Sequence, residues 1–467
     1  MKPIRHRRLA LTLSSAATIA ACLAGPAMAL DLKDAVAVAV TSSPEVNTAA
    51  QDKQAIEFER KQAQGLWLPR VDLEAQGGVE ALDNTTRRQL GIATHTLYPT
   101  EGGLTATETL LDGGNRVAEL HRQAARTDSA AHHVEERAEF IGLDVVHDYL
   151  DYMLQQRLYA LAQDNIAFHE QMVDDLRQGV ASGSISIADQ QQAEERSAAA
   201  KAQLIQAQES MLQAGIAFTS RTGLPMDKPT MPEPIAGKLP ANLDDAVTQA
   251  RTSNPRVRIA MADLDASGAN VKEAKSALQP KVSFEAAGRV GNDVDGFEGK
   301  TTDVTARVVL RWNLYSGGVT QANIQEQIRR DSEQRFVLHE VVREVDDDVQ
   351  EAWNRRDQQQ ALLGQLEHQS QVSNDLVNSY REQFKVGKRS LLDLLDSQNT
   401  RYNTSVQAET ARFAELFAEY KILASTGQLL DALGVSHPVD ASADARKTYG
   451  VPETPPAELM ERRHPGT

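Results

Sequence analysis

Cysteine is almost absent from the 467-residue sequence, which contains only Cys22. That residue lies in an N-terminal segment with four early basic residues, a long apolar run and "AMA" at 27–29, an arrangement typical of a signal peptide. We predict that residues 1–29 are a signal peptide and that the mature, exported chain begins at Leu30. Cleavage there removes the only cysteine, so disulfides and thiol chemistry are excluded. A lipoprotein signal, in which Cys22 of "IAAC" carries a lipid, stays open as the alternative.

Positive charge is also scarce. The chain has 49 lysine and arginine residues against 65 aspartate and glutamate residues, which gives a formal net charge of −16. Because phosphate binding needs clustered lysine and arginine, this balance argues against a nucleic-acid partner. Signatures of enzymes are missing too: "HHVEE" at 132–136 lacks the spacing of a metalloprotease site, and we expect it on a solvated helix face. We therefore expect no metal site, no cofactor and no enzymatic activity.

Long hydrophobic runs are also missing from the sequence after the predicted signal peptide. After residue 29, no stretch approaches the roughly 18–20 uninterrupted apolar residues of a membrane helix, and aromatic residues make up only 5% of the chain. An exported protein can still cross a bilayer with β-strands, whose alternating pattern is a much weaker signal in a sequence.

What the sequence does contain is an internal repeat. The segment "DLKDAVAVAVTSSPEV", which begins at Asp31, aligns without gaps with "NLDDAVTQARTSNPRV", which begins at Asn242. Further along, "LLDGGN" at 110–115 corresponds to "LYSGGV" at 314–319. Matching residues continue along both halves of the chain, and the distance in sequence between them changes only once, by a few residues. This indicates that the chain consists of two duplicated halves.

The duplication predicts the domain organisation. Repeat 1 occupies residues 30–223, a proline-rich linker 224–241 and repeat 2 residues 242–434, while the tail at 435–467 is expected to be disordered. In each repeat we predict a first helix, two strands, a very long helix and a shorter return helix. The predicted first helices are 33–67 and 244–278, the strands about 70–81, 102–111, 281–291 and 302–314, and the long helices about 115–181 and 319–386.

The fourth predicted strand indicates what such strands are for. In "TTDVTARVVLRWNLYSGG" at 301–318, apolar residues alternate with polar ones, and Arg307 and Arg311 lie on the polar side. A strand of about twelve residues tilted near 45° rises roughly 28 Å, close to the thickness of a bilayer's hydrocarbon core. We predict that the apolar side contacts lipid and that Arg307 and Arg311 face a water-filled lumen. Four strands cannot close a barrel, so several copies must share one.

These features together resemble the TolC family of outer-membrane channel-tunnels. The resemblance is carried by the duplicated halves, by "LLDGGN" and "LYSGGV", and by "VGKRSLLDLLDSQN" at 386–399. It implies a mainly α fold with a membrane β-barrel. In a homotrimer, twelve strands, four per chain, form an outer-membrane β-barrel that is continuous with a long periplasmic α-helical barrel. The implied location is the cell outer membrane, in contact with its lipid, and the implied function is an exit duct rather than an enzyme.

The resemblance also implies partners. Such a duct works with a periplasmic adaptor (membrane fusion) protein and with an inner-membrane ABC transporter or a proton-driven pump. The segment "GGLTATETLLDGGNRVAELHRQAARTDSAA" at 102–131 is similar to the branch that serves type I secretion of adhesins or toxins. Multidrug efflux stays open as the alternative function, and a non-channel periplasmic coiled-coil scaffold as the alternative from another class.

The turn after the second long helix is predicted to hold a gate. In "RSLLDLLD", Asp393 and Asp396 are three residues apart and therefore lie on one face of the return helix. In a trimer they would form two acidic rings that favour cations. The resemblance places these rings at the periplasmic entrance, whereas an ordinary solvated acidic face is the simpler alternative.

The resemblance assigns further roles around this turn. Arg389 corresponds to an arginine that helps to hold the family's entrance closed, and Asp189 corresponds to an aspartate that a tyrosine hydrogen-bonds. Phe384 occupies the position of that tyrosine, and an alanine replaces the arginine's hydroxyl partner, so two polar links of the gate lock are missing. Gly183 and Gly387 match the turns where adaptors dock, with helix termination as their alternative role.

Overall fold

The computed structural model of the chain describes residues 30–455, and the predicted signal peptide at 1–29 lies outside the described residues. Within them, the same order of elements occurs twice along the chain. The helices are α1 (Leu32–Ser42), α2 (Pro44–Gly65), α3 (Thr85–Gln89), α4 (Asn115–Ala181), α5 (Ile187–Thr222), α6 (Leu243–Ser253), α7 (Pro255–Ser276), α8 (Val319–Lys385), α9 (Leu391–Ser425), α10 (Leu429–Leu433) and α11 (Ala445–Tyr449). The strands are β1 (Arg70–Gly77), β2 (Thr100–Leu111), β3 (Lys281–Asn292) and β4 (Lys300–Arg311).

None of the described helices combines the length and the apolar composition that are needed to cross a membrane.

Both first helices are broken at a proline. The prediction of one continuous helix at 33–67 is wrong, because α1 ends at Ser42 and α2 begins at Pro44. Proline has no N–H to donate within a helix, and the Ser43 side chain accepts a hydrogen bond from Glu45 N at 3.2 Å, which starts the new helix. In the second half, Pro255 separates α6 from α7 in the same way, with an asparagine as the cap.

Two very long helices dominate the fold. α4 and α8 contain 67 residues each and, at about 1.5 Å per residue, are roughly 100 Å long. Both begin after a glycine in the left-handed region, where Gly114 has φ 87° and Gly318 has φ 85°. α5 packs along α4, α9 packs along α8, and α7 packs against both α4 and α8. The long helices therefore agree with the predicted spans to within about one residue.

The four strands form one antiparallel sheet in the order β1-β2-β3-β4. Its register is fixed by pairs such as Leu73 with Leu104 and Glu285 with Arg307. The predicted strands are confirmed, although β1 ends at Gly77 instead of near residue 81 and β4 ends at Arg311 instead of near residue 314. In the described part of the chain, β1 and β4 each pair on one side only, so both are free edges.

The register sorts the side chains of the sheet onto two chemically different faces. The apolar face carries Val71, Leu73, Leu104, Ala106, Val282, Phe284, Ala286, Val290, Val304, Ala306, Val308 and Leu310. The polar face carries Asp72, Glu74, Glu101, Thr105, Thr107, Glu285, Arg289, Asp303, Thr305, Arg307 and Arg311. In the single chain the apolar face is largely uncovered, with Val304 80% and Leu73 76% exposed. An exposed apolar surface of this extent needs an apolar neighbour.

The main hydrophobic core lies beside the middle of α4. It is built from α1, α2, α4 and the ends of α5 and α9, with Tyr149 and Phe218 fully buried. The Tyr149 hydroxyl accepts a hydrogen bond from Thr230 N at 2.9 Å and lies 2.8 Å from the Leu30 carbonyl oxygen. This single tyrosine therefore holds both the start of the described chain and the linker at 224–241 against the core.

The tail is ordered as far as it is described. The sequence predicts disorder from residue 435, but residues 435–455 pack on the helices and include α11. Arg446 is buried and lies 3.0 Å from Asp128 of α4 and 2.7 Å from Asp265 of α7. These ion pairs join the two repeats, and composition could not reveal them because the partners are far away in sequence. Residues 456–467 lie outside the described residues.

Candidate functional site

The far end of the molecule is formed by two turns, one in each repeat. α4 turns into α5 at Gly183, which has φ 75°, and α8 turns into α9 at Gly387, which has φ 69°. Glycine adopts this left-handed conformation most easily because it has no Cβ, so both residues have a clear role in ending a helix. Because α4 and α8 are about 100 Å long, these turns lie roughly that far from the sheet.

Both return helices begin with the same cap. Ser186 Oγ accepts a hydrogen bond from Asp189 N, and Ser390 Oγ accepts one from Asp393 N, each at 3.1 Å. Asp189 and Asp393 are thus the third residues of their helices, where a carboxylate interacts favourably with the helix dipole. The Asp189 carboxylate also accepts a hydrogen bond from Ser186 Oγ at 2.7 Å.

An apolar cluster joins the four helices just above the turns. It contains Met172 and Leu176 of α4, Ala193 of α5, and Leu391 and Leu394 of α9. Phe384, from the last turn of α8, is half-buried against this cluster. The residue at the expected tyrosine position therefore strengthens hydrophobic packing between the two repeats.

Asp393 and Asp396 both point toward solvent, with side chains 45% and 60% exposed. Each has a cation at 3.7 Å: Arg389 Nη1 beside Asp393, and Arg196 Nη2 beside Asp396. Arg389 also lies over the ring of Tyr380 at 4.1 Å. Partly exposed pairs of this kind contribute at most about 1 kcal/mol, so they can open at little cost.

Arg196 was not identified from the sequence. It lies on α5 in repeat 1, whereas Asp396 lies on α9 in repeat 2, so the pair crosses between the repeats. The two residues are two hundred positions apart and share no local pattern. In the single chain, this ion pair and the apolar cluster connect the two helical hairpins near the turns.

A buried polar group close to the apolar cluster was also missed. Gln398 Nε2 donates a hydrogen bond to Asn165 Oδ1 at 2.9 Å, and both residues are buried. His169, one helical turn from Asn165, is buried as well. Burial, helped by the charge of Arg196, lowers the pKa of His169 to about 4, so this histidine is neutral at neutral pH.

At the other end of the molecule, Arg307 and Arg311 lie on the polar face of the sheet, as predicted. Arg307 Nη2 is 2.8 Å and Arg311 Nη2 is 2.9 Å from the carboxylate of Glu285. One carboxylate thus holds two arginines on the face opposite Val304 and Ala306.

The expectation of a solvated helix face for "HHVEE" is wrong for His132 and Glu135, whereas the side chain of His133 is exposed. His132 and Glu135 are buried, with His132 Nδ1 3.1 Å from Glu135 Oε2, because the tail around His437 covers this part of α4. Arg258 adds a further ion pair to Glu135 at 3.2 Å. Among residues 30–455, no cluster of three or more histidine, cysteine or acidic side chains is arranged to hold a metal ion.

Comparison with known proteins places this geometry in context. The family model of the outer membrane efflux protein matches residues 36–224 and 246–435. The chain is similar to the outer membrane efflux protein BepC of Brucella suis biovar 1 (strain 1330), with 25% identity over 345 residues, which cover 72% of this chain and 75% of BepC.

Two solved structures show how far the fold is shared. The outer membrane protein VceC of Vibrio cholerae is 14% identical and aligns with a TM-score of 0.71, covering 87% of this chain and 97% of VceC. The Neisseria gonorrhoeae MtrE outer membrane channel in its open state is 19% identical and aligns with a TM-score of 0.65, covering 88% of this chain and 90% of MtrE. Because the family model matches most of both halves, the chain belongs to the outer membrane efflux protein family, whose members are transport channels of the outer membrane.

Proposed function

We propose that three copies of this chain form the exit duct of a type I secretion system, which an inner-membrane ABC transporter drives through a periplasmic adaptor protein. The coarser assignment, an outer-membrane channel component of a tripartite export system, follows from the family. The observation that carries the proposal is the four-stranded sheet, which has one apolar face and two free edges.

The free edges require other copies of the chain. An unpaired backbone group in the hydrocarbon core costs several kcal/mol, so an open sheet cannot span a bilayer. Pairing β4 of one copy with β1 of the next satisfies both edges, and three copies give a closed barrel of twelve strands. The apolar face then contacts lipid, and Arg307 and Arg311 on the polar face line the lumen.

The long helices also need lateral neighbours. α5 exposes Ile205, Leu212 and Ile216, and α8 exposes Leu362, Val372 and Leu376. The steps are about 7 and 4 residues in the first set and about 10 and 4 in the second, all sums of the three- and four-residue steps of a coiled-coil seam. Packing these seams against neighbouring copies extends the barrel into a helical tunnel about 100 Å long.

The turns at the far end form the periplasmic entrance. In three copies, Asp393 and Asp396 contribute six carboxylates around the axis, which favours cations there. In each copy, Arg389 forms an ion pair with Asp393, and Arg196 forms an ion pair that joins Asp396 to the other repeat. Phe384 packs between the two hairpins in place of the polar lock, while Asp189 caps the start of the return helix in its own hairpin. The exposed turns at Gly183 and Gly387 are where the adaptor docks.

The choice of type I secretion is supported by the resemblance of the segment at 102–131 to the branch that serves type I secretion. This segment forms most of β2 and the start of α4. Multidrug efflux is the second candidate, because the relative BepC is described as an efflux protein.

Deleting the gene separates these two functions. We expect a large adhesin or toxin to disappear from the cell surface and medium, with the sensitivity to toxic small molecules unchanged. The measurement is mass spectrometry of secreted proteins together with growth-inhibition assays, and complementation with the intact gene is the control. Unchanged secretion with increased drug sensitivity would assign the chain to efflux.

A further inference from the structure

The connections at the outer end of the sheet are folded rather than extended. Residues 78–99 join β1 to β2, and residues 293–299 join β3 to β4. Each strand is joined to a long helical segment at one end and to one of these two loops at the other end. The two loops therefore lie at the end of the sheet that is farthest from the periplasmic helices. Under the proposed function, which this inference rests on, the loops lie at the cell-surface mouth of the duct.

The shorter loop folds over the polar face of the sheet. Gly291 is on the same face as Arg289, and a side chain at Gly291 would lie 2.8 Å from Val294 Cγ1. Val294 is buried there. The next residue, Asp295, lies 2.8 Å from Arg289 Nη2. The loop at 293–299 therefore covers the face that lines the lumen instead of pointing away along the strands.

The longer loop packs on the shorter one. A side chain at Gly296 would touch Leu82 Cδ2 at 2.8 Å, and His95 Nδ1 lies 3.1 Å from Glu298 Oε1. Inside the longer loop, Arg87 is 1% exposed and donates hydrogen bonds to the carbonyl oxygens of Ile92 and His95, both at 2.8 Å. A buried arginine that holds two loop carbonyls gives this segment a defined structure.

One arginine fastens this assembly to the wall of the barrel. Arg289 Nη1 lies 3.1 Å from Glu101 on β2, and its Nε lies 3.4 Å from Asp303 on β4. The same guanidinium holds Asp295 of the shorter loop. Releasing Asp295 therefore loosens the loop by removing its ion pair to the sheet, while the contacts of Arg289 within the sheet remain.

We propose that residues 78–99 and 293–299 form a lid that narrows the cell-surface mouth of the duct. Twelve strands about 4.8 Å apart and tilted near 45° give a backbone diameter of roughly 26 Å. A folded segment such as a helix with its side chains is about 10 Å thick, and we take this thickness for the lid of one copy. Three such layers, one from each copy, occupy most of that opening, so large molecules pass only when the lids move aside.

Cysteine labelling from outside intact cells tests this lid. Because the predicted cleavage after residue 29 removes Cys22, the exported chain has no natural cysteine. Thr305→Cys on the polar face and Ala306→Cys on the apolar face form a matched pair of neighbours. Each cysteine variant is prepared in three forms: with the native lid, with Asp295→Ala, and with residues 293–299 replaced by Asn-Gly. Asn-Gly is a sequence that suits a two-residue hairpin turn. The probes are a small membrane-impermeant maleimide and a maleimide attached to a wide polymer.

We expect Thr305→Cys to react with the small probe in every background, and with the polymer probe several-fold faster when the lid is loosened or removed. Asp83→Ala, which breaks an exposed ion pair with Arg88 within the longer loop, should leave the polymer rate unchanged. Equal polymer rates with and without the lid would overturn the proposal. Reaction of Ala306→Cys as fast as Thr305→Cys would instead overturn the assignment of the faces, and with it the proposed duct.

Discussion

Replacing Ala306 with arginine is expected to remove most of the assembled protein from the outer membrane. Ala306 lies in the middle of β4 on the apolar face, paired with Ala286. An arginine on the lipid side near the middle of a bilayer costs about 2–4 kcal/mol, and a trimer carries three of them, or roughly 6–12 kcal/mol. The measurement is the amount of SDS-resistant oligomer recovered from the outer-membrane fraction, with urea unfolding from lipid vesicles for the free energy.

Thr305→Arg is the matched control for this substitution. Thr305 is the preceding residue on the same strand, and its side chain lies on the polar face. An arginine there faces water, so assembly should stay close to that of the unaltered protein. Loss of the oligomer with Thr305→Arg and normal assembly with Ala306→Arg would mean that the two faces have been assigned the wrong way round.

Replacing both Asp393 and Asp396 with asparagine is expected to abolish the cation preference of the channel and its block by multivalent cations. The change keeps the size of the side chains but removes six negative charges from the assumed trimer. If each charge contributes about 0.5 kcal/mol of attraction, the affinity for a blocking cation falls by roughly a hundredfold. Reversal potentials and titrations with a trivalent cation in planar bilayers measure both effects.

Asp174→Asn is the control for the acidic rings. Asp174 is an exposed carboxylate on α4 near the same end, paired with Arg177 at 3.4 Å. Its removal should leave selectivity and block unchanged. If the double variant behaves like this control, Asp393 and Asp396 form an ordinary solvated helix face and the gate lies elsewhere.

The fold was predictable where apolar residues recur at a regular spacing in the sequence or where glycine marks the start of a helix. Alternation around Val304 and Arg307 predicted a two-faced strand, and the register confirms those faces. Glycine pairs before α4 and α8 marked where the long helices begin. The break at Pro44 was missed even though a proline after a serine is a local signal for a helix start.

What could not be predicted depends on contacts between distant parts of the chain. The tail has the composition of a disordered segment, but contacts such as the buried pairing of Arg446 with Asp128 and Asp265 hold its described part, residues 435–455, against the helices. At the candidate gate, the spacing of Asp393 and Asp396 was readable because both lie on one helix. Arg196 was not, since its proximity to Asp396 arises only when α5 and α9 pack together.

The sheet of one chain supplies one third of the proposed barrel, because four strands from each of three copies are needed to close it. Native mass spectrometry of the purified mature protein in detergent tests this directly. We expect an assembly of three chains that requires detergent to stay in solution. A protein that is monomeric and stays in solution without detergent would contradict it.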